Sequence, residues 1–137
     1  VCSSDLTGFQ KIIGGITMKI FETTVIAIGQ NAEEFKQENM LLFFGEEAPP
    51  ELSDFCYKIM VTPIQERIVP DMVLCFNNER YAITAVGKVA EENLRQLGHI
   101  TVNFDGAAIS ELPGTIHVEQ KPLPTINVGD LVSIIRT

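Results

Sequence analysis

The sequence has few basic residues and no long apolar run, and each shortage excludes a class of function. Ten Lys and Arg stand against 18 Asp and Glu, which gives a net charge of −8. Nucleic-acid backbones and anionic membrane surfaces are bound through Lys and Arg, so neither is an expected partner. No apolar run reaches the roughly 20 residues of a membrane-spanning helix, so we expect no direct membrane insertion. An acidic surface would suit a basic protein partner.

Cysteine is also scarce, and its three positions contain no CxxC pair and no spacing suited to a metal. Cys56 and Cys75 lie in apolar, strand-like runs. This placement favours buried free thiols over a disulfide, as expected in a reducing cytosol. We therefore predict a cytoplasmic protein.

The length of 137 residues suits one domain, and 45% hydrophobic residues are enough to build its core. The first residues, VCSSDL, resemble the translation of a sequencing adapter, and they lack the pattern of a signal peptide. We expect residues 1–17 to be a non-native or disordered leader and residues 18–137 to be the domain.

A strand, a short helix and a second strand are predicted across Arg80–Gly106. Tyr81–Val86 is rich in β-forming residues, whereas Lys88–Leu97 changes to a helical period and is followed by Gly98, a typical C-cap residue. His99–Phe104 then alternates, with Ile100, Val102 and Phe104 on one side and His99, Thr101 and Asn103 on the other.

Short strands with closely spaced turns occupy most of the remaining chain. In all, the pattern predicts about eight short strands and one short helix, Lys88–Leu97, which is typical of an all-β sandwich or barrel. Periodicity alone does not choose between these two architectures.

Several segments, in the same order, resemble one family. They are APPELSDFC at Ala48–Cys56, RYAITAVG, the following AVGKVAEENLRQLGHITVNFDG, and ELPGTIHVE at Glu111–Glu119. Together they are similar to the glucitol/sorbitol-specific enzyme IIA component of the bacterial phosphoenolpyruvate-dependent sugar phosphotransferase system. The resemblance implies a single closed or nearly closed β-barrel. It also implies a phosphohistidine-type transferase component that takes phosphate from phospho-HPr and passes it to IIB/IIC components, without a metal or other cofactor.

The histidine expected from this resemblance is missing. In the family, the strand after the APPELSDFC-like segment carries a His-x-His pattern whose first histidine is phosphorylated. Alignment without gaps places this pattern on Ile59, Met60 and Val61. Apolar side chains there cannot carry phosphate, and they make a poor environment for it.

His99 is therefore the candidate phospho-acceptor, with Thr101, Asn103 and His117 as candidate phosphate ligands. A phosphoryl relay needs an exposed neutral imidazole nitrogen and donors for the phosphate oxygens. The competing interpretation of His99 is a side chain that caps the carbonyls ending the preceding helix. For His117 it is a solvated strand histidine. No arrangement of Ser, His and Asp has the motif context of a hydrolase.

Three functions remain open from the sequence. The first is a phosphocarrier for sorbitol or glucitol uptake. The second, motivated by Ile59 and Val61, is a regulatory or binding paralogue on the same fold that cannot be phosphorylated. The third is an unrelated barrel that holds a small ligand in an apolar cavity.

Overall fold

The computed structural model describes residues 18–136, and it folds them mainly into β-strands. The predicted leader, residues 1–17, lies outside the described residues. The strands are β1 Met18–Ile28, β2 Met40–Phe44, β3 Tyr57–Ile59, β4 Val73–Phe76, β5 Glu79–Val86, β6 Ile100–Asn103, β7 Thr115–Val118 and β8 Leu131–Arg136. A 3₁₀ helix covers Ala32–Glu38, and two α-helices follow, α1 at Pro50–Ser53 and α2 at Ala90–Leu97. No helix among the described residues is long and apolar enough to cross a membrane.

The eight strands close into a barrel in the order β1-β3-β2-β6-β7-β5-β4-β8. The pairs β2/β3 and β6/β7 are parallel. The other neighbours are antiparallel. The predicted all-β barrel is thus confirmed. The topology combines two parallel pairs with simple antiparallel hairpins such as β4–β5, whose turn is Asn77-Asn78.

Alternating side chains fill the barrel interior. On β5, Tyr81, Ile83 and Ala85 are buried, and on β6, Ile100 and Val102 are buried. A cavity of about 20 Å³ lies inside the barrel and is lined by apolar side chains. Because that space is close to the size of a single water, this cavity, formed by the described residues, has no room for a metabolite.

The strand after the APPELSDFC-like segment is only three residues long, β3. Beyond Ile59 the chain still follows β1, but side chains replace the backbone ladder. The Thr23 hydroxyl donates to the Met60 carbonyl at 2.7 Å, and the Thr62 hydroxyl donates to the Glu22 carbonyl at 2.9 Å. The pairing of β1 with β3 shifts register between Val25 and Ala27 and ends with the pair Val25–Ile59.

The predicted helix begins two residues later than expected, at Ala90, and buries Ala90 and Leu94. On its exposed side, Arg95 forms an ion pair with Glu91, as the i,i+4 spacing favours. Gly98 ends the helix with a φ of +70°, in the left-handed region that favours glycine.

The two described cysteines differ. Cys56 is buried and its thiol is free, as expected, and desolvation raises its pKa to about 11. Cys75 is buried as well, but it is disulfide-bonded. The expectation of a free thiol is therefore wrong at Cys75.

Candidate functional site

His99 lies on the outside of the barrel between the end of α2 and the start of β6. Its ring is half-buried and stacks on the Phe44 ring, with 4.5 Å between centroids. This position follows from the sequence: Gly98 turns the chain sharply, and the alternation of β6 directs His99 away from the core. The imidazole is held in place while one edge remains open to solvent.

A hydrogen bond fixes the protonation pattern of this ring. His99 Nδ1 lies 3.3 Å from the Phe43 carbonyl oxygen, which can only accept. Nδ1 therefore carries a proton, and in the neutral ring the lone pair is on Nε2. The carbonyl belongs to β2 and not to α2, so the interpretation of the His99 ring as a helix cap is wrong, although the His99 backbone N–H donates to the Asn93 carbonyl of α2 at 3.3 Å.

A cleft of about 500 Å³ adjoins His99 through Phe44 and Val61. Glu46 and Glu47 also line it, which gives the cleft an acidic rim. Val61 is 46% exposed, and its Cγ2 would lie 3.4 Å from a Cβ built on Gly98. The segment that aligns with the family's His-x-His pattern thus ends beside the residue that precedes His99.

Ile59, where the alignment predicted from the sequence places the family's phosphorylated histidine, points the other way. It is 1% exposed and belongs to the core of the barrel. Position 59 is therefore not at the surface, and its side chain cannot carry phosphate.

The other predicted ligands are spread along the same outer surface. Thr101 and Asn103 are half-buried on the side of β6 that faces away from the core. At roughly 3.3 Å per residue, Thr101 lies about 7 Å from His99 along the strand and Asn103 about 13 Å away. Asn103 pairs with His117 on β7. The structure thus brings Thr101 towards His99 and places Asn103 beside His117.

His117 is only 5% exposed, although it lies on the outer side of β7. The loop that follows β6 covers it. His117 Nδ1 is 2.8 Å from Asp105 Oδ1, and Nε2 is 3.2 Å from Ser110 Oγ. The interpretation of His117 as a solvated histidine is therefore wrong, and no sequence motif joins these three residues.

The environment of Asp105 favours its charged form. Partial burial opposes ionisation, but hydrogen bonds from His117 and from the Ala107 N–H outweigh it, and they lower the pKa of Asp105 from its usual value. An ionised carboxylate can only accept, so the Nδ1 of His117 is the donor in this pair.

Comparison with known proteins agrees with this barrel. A crystal structure of a phosphotransferase-system IIA component from Enterococcus faecalis V583 superimposes with a TM-score of 0.72 at 26% identity, over 82% of this chain and 97% of that one. The fold is thus that of a phosphotransferase-system IIA component.

The sequence comparisons define the family more closely. The family model "PTS system glucitol/sorbitol-specific IIA component" matches residues 20–133. Glucitol/sorbitol-specific EIIA components of Shigella flexneri and Escherichia coli K12 are each 40% identical over 99 residues, which cover 72% of this chain and 80% of each relative. The chain belongs to the glucitol/sorbitol-specific IIA family of the sugar phosphotransferase system.

Proposed function

We propose that this chain is a cytoplasmic phosphocarrier that accepts a phosphoryl group from phospho-HPr on His99 and passes it to a IIB unit during glucitol or sorbitol uptake. The observation that carries the proposal is the state of the His99 ring. Nδ1 is tied to the Phe43 carbonyl, and Nε2 is left without a hydrogen-bond partner among the described residues. An imidazole in this state has a lone pair ready to attack phosphorus.

The transfer needs no group beyond the two proteins. Nε2 of His99 attacks the phosphorus as the bond to the donor nitrogen of phospho-HPr breaks, and the reverse sequence passes the phosphoryl group to IIB. Thr101, on the same side of β6, supplies a hydroxyl for a phosphate oxygen. Stacking on Phe44 limits ring rotation, which keeps Nε2 aimed outward.

The acidic cleft beside His99 suits a basic partner. Glu46 and Glu47 would repel a free phosphate dianion, but they would attract a positively charged protein surface that delivers the phosphate. This arrangement favours transfer from a protein donor over capture of inorganic phosphate.

Phosphorylation by phosphoenolpyruvate, enzyme I and HPr tests the proposal. Wild type should become labelled, His99→Gln should not, and His117→Gln should retain the label if it remains folded. Label that persists in His99→Gln, or no label while a family relative in the same mixture is charged, would contradict the proposal.

A second candidate, a regulatory or binding paralogue, is favoured by one observation: Ile59, at the position where the resemblance predicts the phosphorylated histidine, is an apolar residue buried in the core. This alternative predicts that unlabelled wild type still binds IIB/IIC components. Binding of a IIB unit without phosphorylation would support it, and rapid label transfer to IIB would exclude it.

A further inference from the structure

Asp105, His117 and Ser110 form a chain of hydrogen bonds away from His99. Asp105 Oδ1 to His117 Nδ1 is 2.8 Å, and His117 Nε2 to Ser110 Oγ is 3.2 Å. This is the arrangement of a hydroxyl nucleophile, a general base and a carboxylate that orients the base. It lies within the loop after β6 and on β7, and it is independent of the carrier function proposed at His99.

The tautomer of His117 has the direction that base catalysis requires. Because Asp105 accepts from Nδ1, the lone pair of the neutral ring is on Nε2, facing Ser110. The Ser110 hydroxyl also lies 2.8 Å from the Leu112 carbonyl. When the hydroxyl turns to Nε2, that carbonyl keeps the Thr115 N–H as a donor, at 3.3 Å. The rotation therefore leaves no buried acceptor unpaired.

Ser110 borders a cleft of about 500 Å³. About half of its wall is apolar, with Val69, Val86 and Ile109 contributing, and Arg67 and Lys88 also line it. A cleft that combines apolar surface with a few polar groups beside an oriented nucleophile can hold a small molecule.

The charge of this cleft is opposite to that of the whole chain. Arg67 and Lys88 have no ion-pair partner within residues 18–136. The carboxylate of Glu91 is already engaged, because it accepts from the Ile68 N–H at 2.9 Å and pairs with Arg95. The net charge of the chain is −8, so this local excess of positive charge points to an anionic ligand.

We propose that Ser110, His117 and Asp105 are an esterase centre for small esters that carry a carboxylate or phosphate group, which Arg67 and Lys88 bind. Ser110 Oγ attacks the ester carbonyl while its proton passes to His117 Nε2, and the leaving alcohol takes that proton as the C–O bond breaks. Water then attacks the acyl-serine, its proton passes through His117 back to Ser110, and the free acid leaves.

Hydrolysis of 4-nitrophenyl hemisuccinate, an activated ester with a carboxylate, tests the centre. Wild type should release 4-nitrophenolate faster than buffer, and Ser110→Ala should fall to the buffer rate. Ser53→Ala, in α1, is the matched control and should keep the wild-type rate. A fluorophosphonate should modify Ser110, located by peptide mass spectrometry. Equal rates in wild type and Ser110→Ala, or modification only at another residue, would overturn the proposal.

The roles of Asp105 and Arg67 are tested by two measurements that a merely structural change would leave unaltered: the pH dependence of the rate and the preference between substrates. Asp105→Asn no longer holds His117 in the tautomer that accepts a proton at Nε2, so it should lower the rate by roughly 100-fold or more, the usual range for lost general-base catalysis, and should change the pH dependence of kcat/KM. Arg67→Gln should lower the ratio of hemisuccinate to 4-nitrophenyl acetate hydrolysis. Circular dichroism identifies any unfolded variant, and Ser110→Ala, the mildest change, decides the outcome if Asp105→Asn unfolds. An unchanged pH profile in folded Asp105→Asn would contradict the assigned base.

Discussion

Tyr57 carries a buried hydroxyl that is expected to destabilise the barrel. The residue is 1% exposed, and its ring packs 5.6 Å from the Phe43 ring between centroids. Its hydroxyl oxygen has no hydrogen-bond partner among the described residues. Desolvation, with the charge of Glu33 adding to it, raises the pKa of Tyr57 to about 12. The ring therefore stabilises the barrel by packing, whereas the unpaired hydroxyl destabilises it.

Tyr57→Phe removes the hydroxyl and keeps the ring. An unpaired buried hydroxyl costs about 1–3 kcal/mol, so we expect the free energy of unfolding near pH 8 to rise by about 1 kcal/mol. For a barrel of this size, that change raises Tm by roughly 3–5 °C. Tyr81→Phe is the matched control: Tyr81 donates to the Pro122 carbonyl at 2.6 Å, so its loss should destabilise the barrel by about 1 kcal/mol.

The advantage of Tyr57→Phe should increase at alkaline pH. The ordinary pKa of tyrosine is 10.0, and in the folded protein it is about 12 at Tyr57. Between these values the unfolded chain loses the proton first, so wild type loses stability by about 1.4 kcal/mol per pH unit. Tyr57→Phe does not lose stability in this way. Tyr81 also has a raised pKa, but it is present in both proteins, so its contribution cancels in the difference between them.

Urea unfolding followed by circular dichroism at pH 8, 10 and 11 measures both effects. The expected result is a positive difference between Tyr57→Phe and wild type at pH 8 that widens above pH 10. A variant less stable than wild type at pH 8 would show that the hydroxyl is bonded, and a constant difference would refute the raised pKa.

Two further changes test the geometry around the histidines. Asp105→Asn should lower the free energy of unfolding by about 1 kcal/mol at pH 7, a value reduced for the 40% exposure of the carboxylate. Because the folded pKa of Asp105 is lowered, this difference should begin to shrink as the pH of urea titrations falls below the usual carboxyl value of 3.8 and should vanish below the lower folded pKa; a difference that persists there would contradict the hydrogen bond from His117 to the ionised carboxylate. Gly98→Ala should destabilise the barrel by about 2–4 kcal/mol, since a Cβ there lies 2.8 Å from the Gly45 nitrogen at a φ of +70°. Gly129→Ala, at a φ of +95° with nothing within 4 Å, should cost only about 1 kcal/mol, and equal losses in thermal melts would argue against the close approach.

Local patterns predicted most of the strands, because strand periodicity is a property of neighbouring residues. Alternation located β5 and β6, and Gly98 marked the end of α2. The ring order could not be predicted in the same way. Strands β2 and β3 pair in parallel, as do β6 and β7, and the segments that connect them carry no sequence pattern that predicts this pairing.

The candidate site was predictable only in part, for a similar reason. The outward direction of His99 followed from alternation, but its bond to the Phe43 carbonyl depends on the pairing of β2 with β6. Burial of His117 depends on how an irregular loop folds back over β7, and periodicity says nothing about loops. Asp105 and Ser110 therefore became visible as its partners only in three dimensions.

The most direct test of the phosphocarrier proposal is ³¹P and ¹⁵N NMR of the protein after incubation with phosphoenolpyruvate, enzyme I and HPr. Because Nδ1 of His99 is tied to Phe43, the predicted product is a single phosphohistidine linked through Nε2 of His99. Phosphate on Nδ1, on His117, or on no residue at all while the Escherichia coli relative is charged under the same conditions would contradict it.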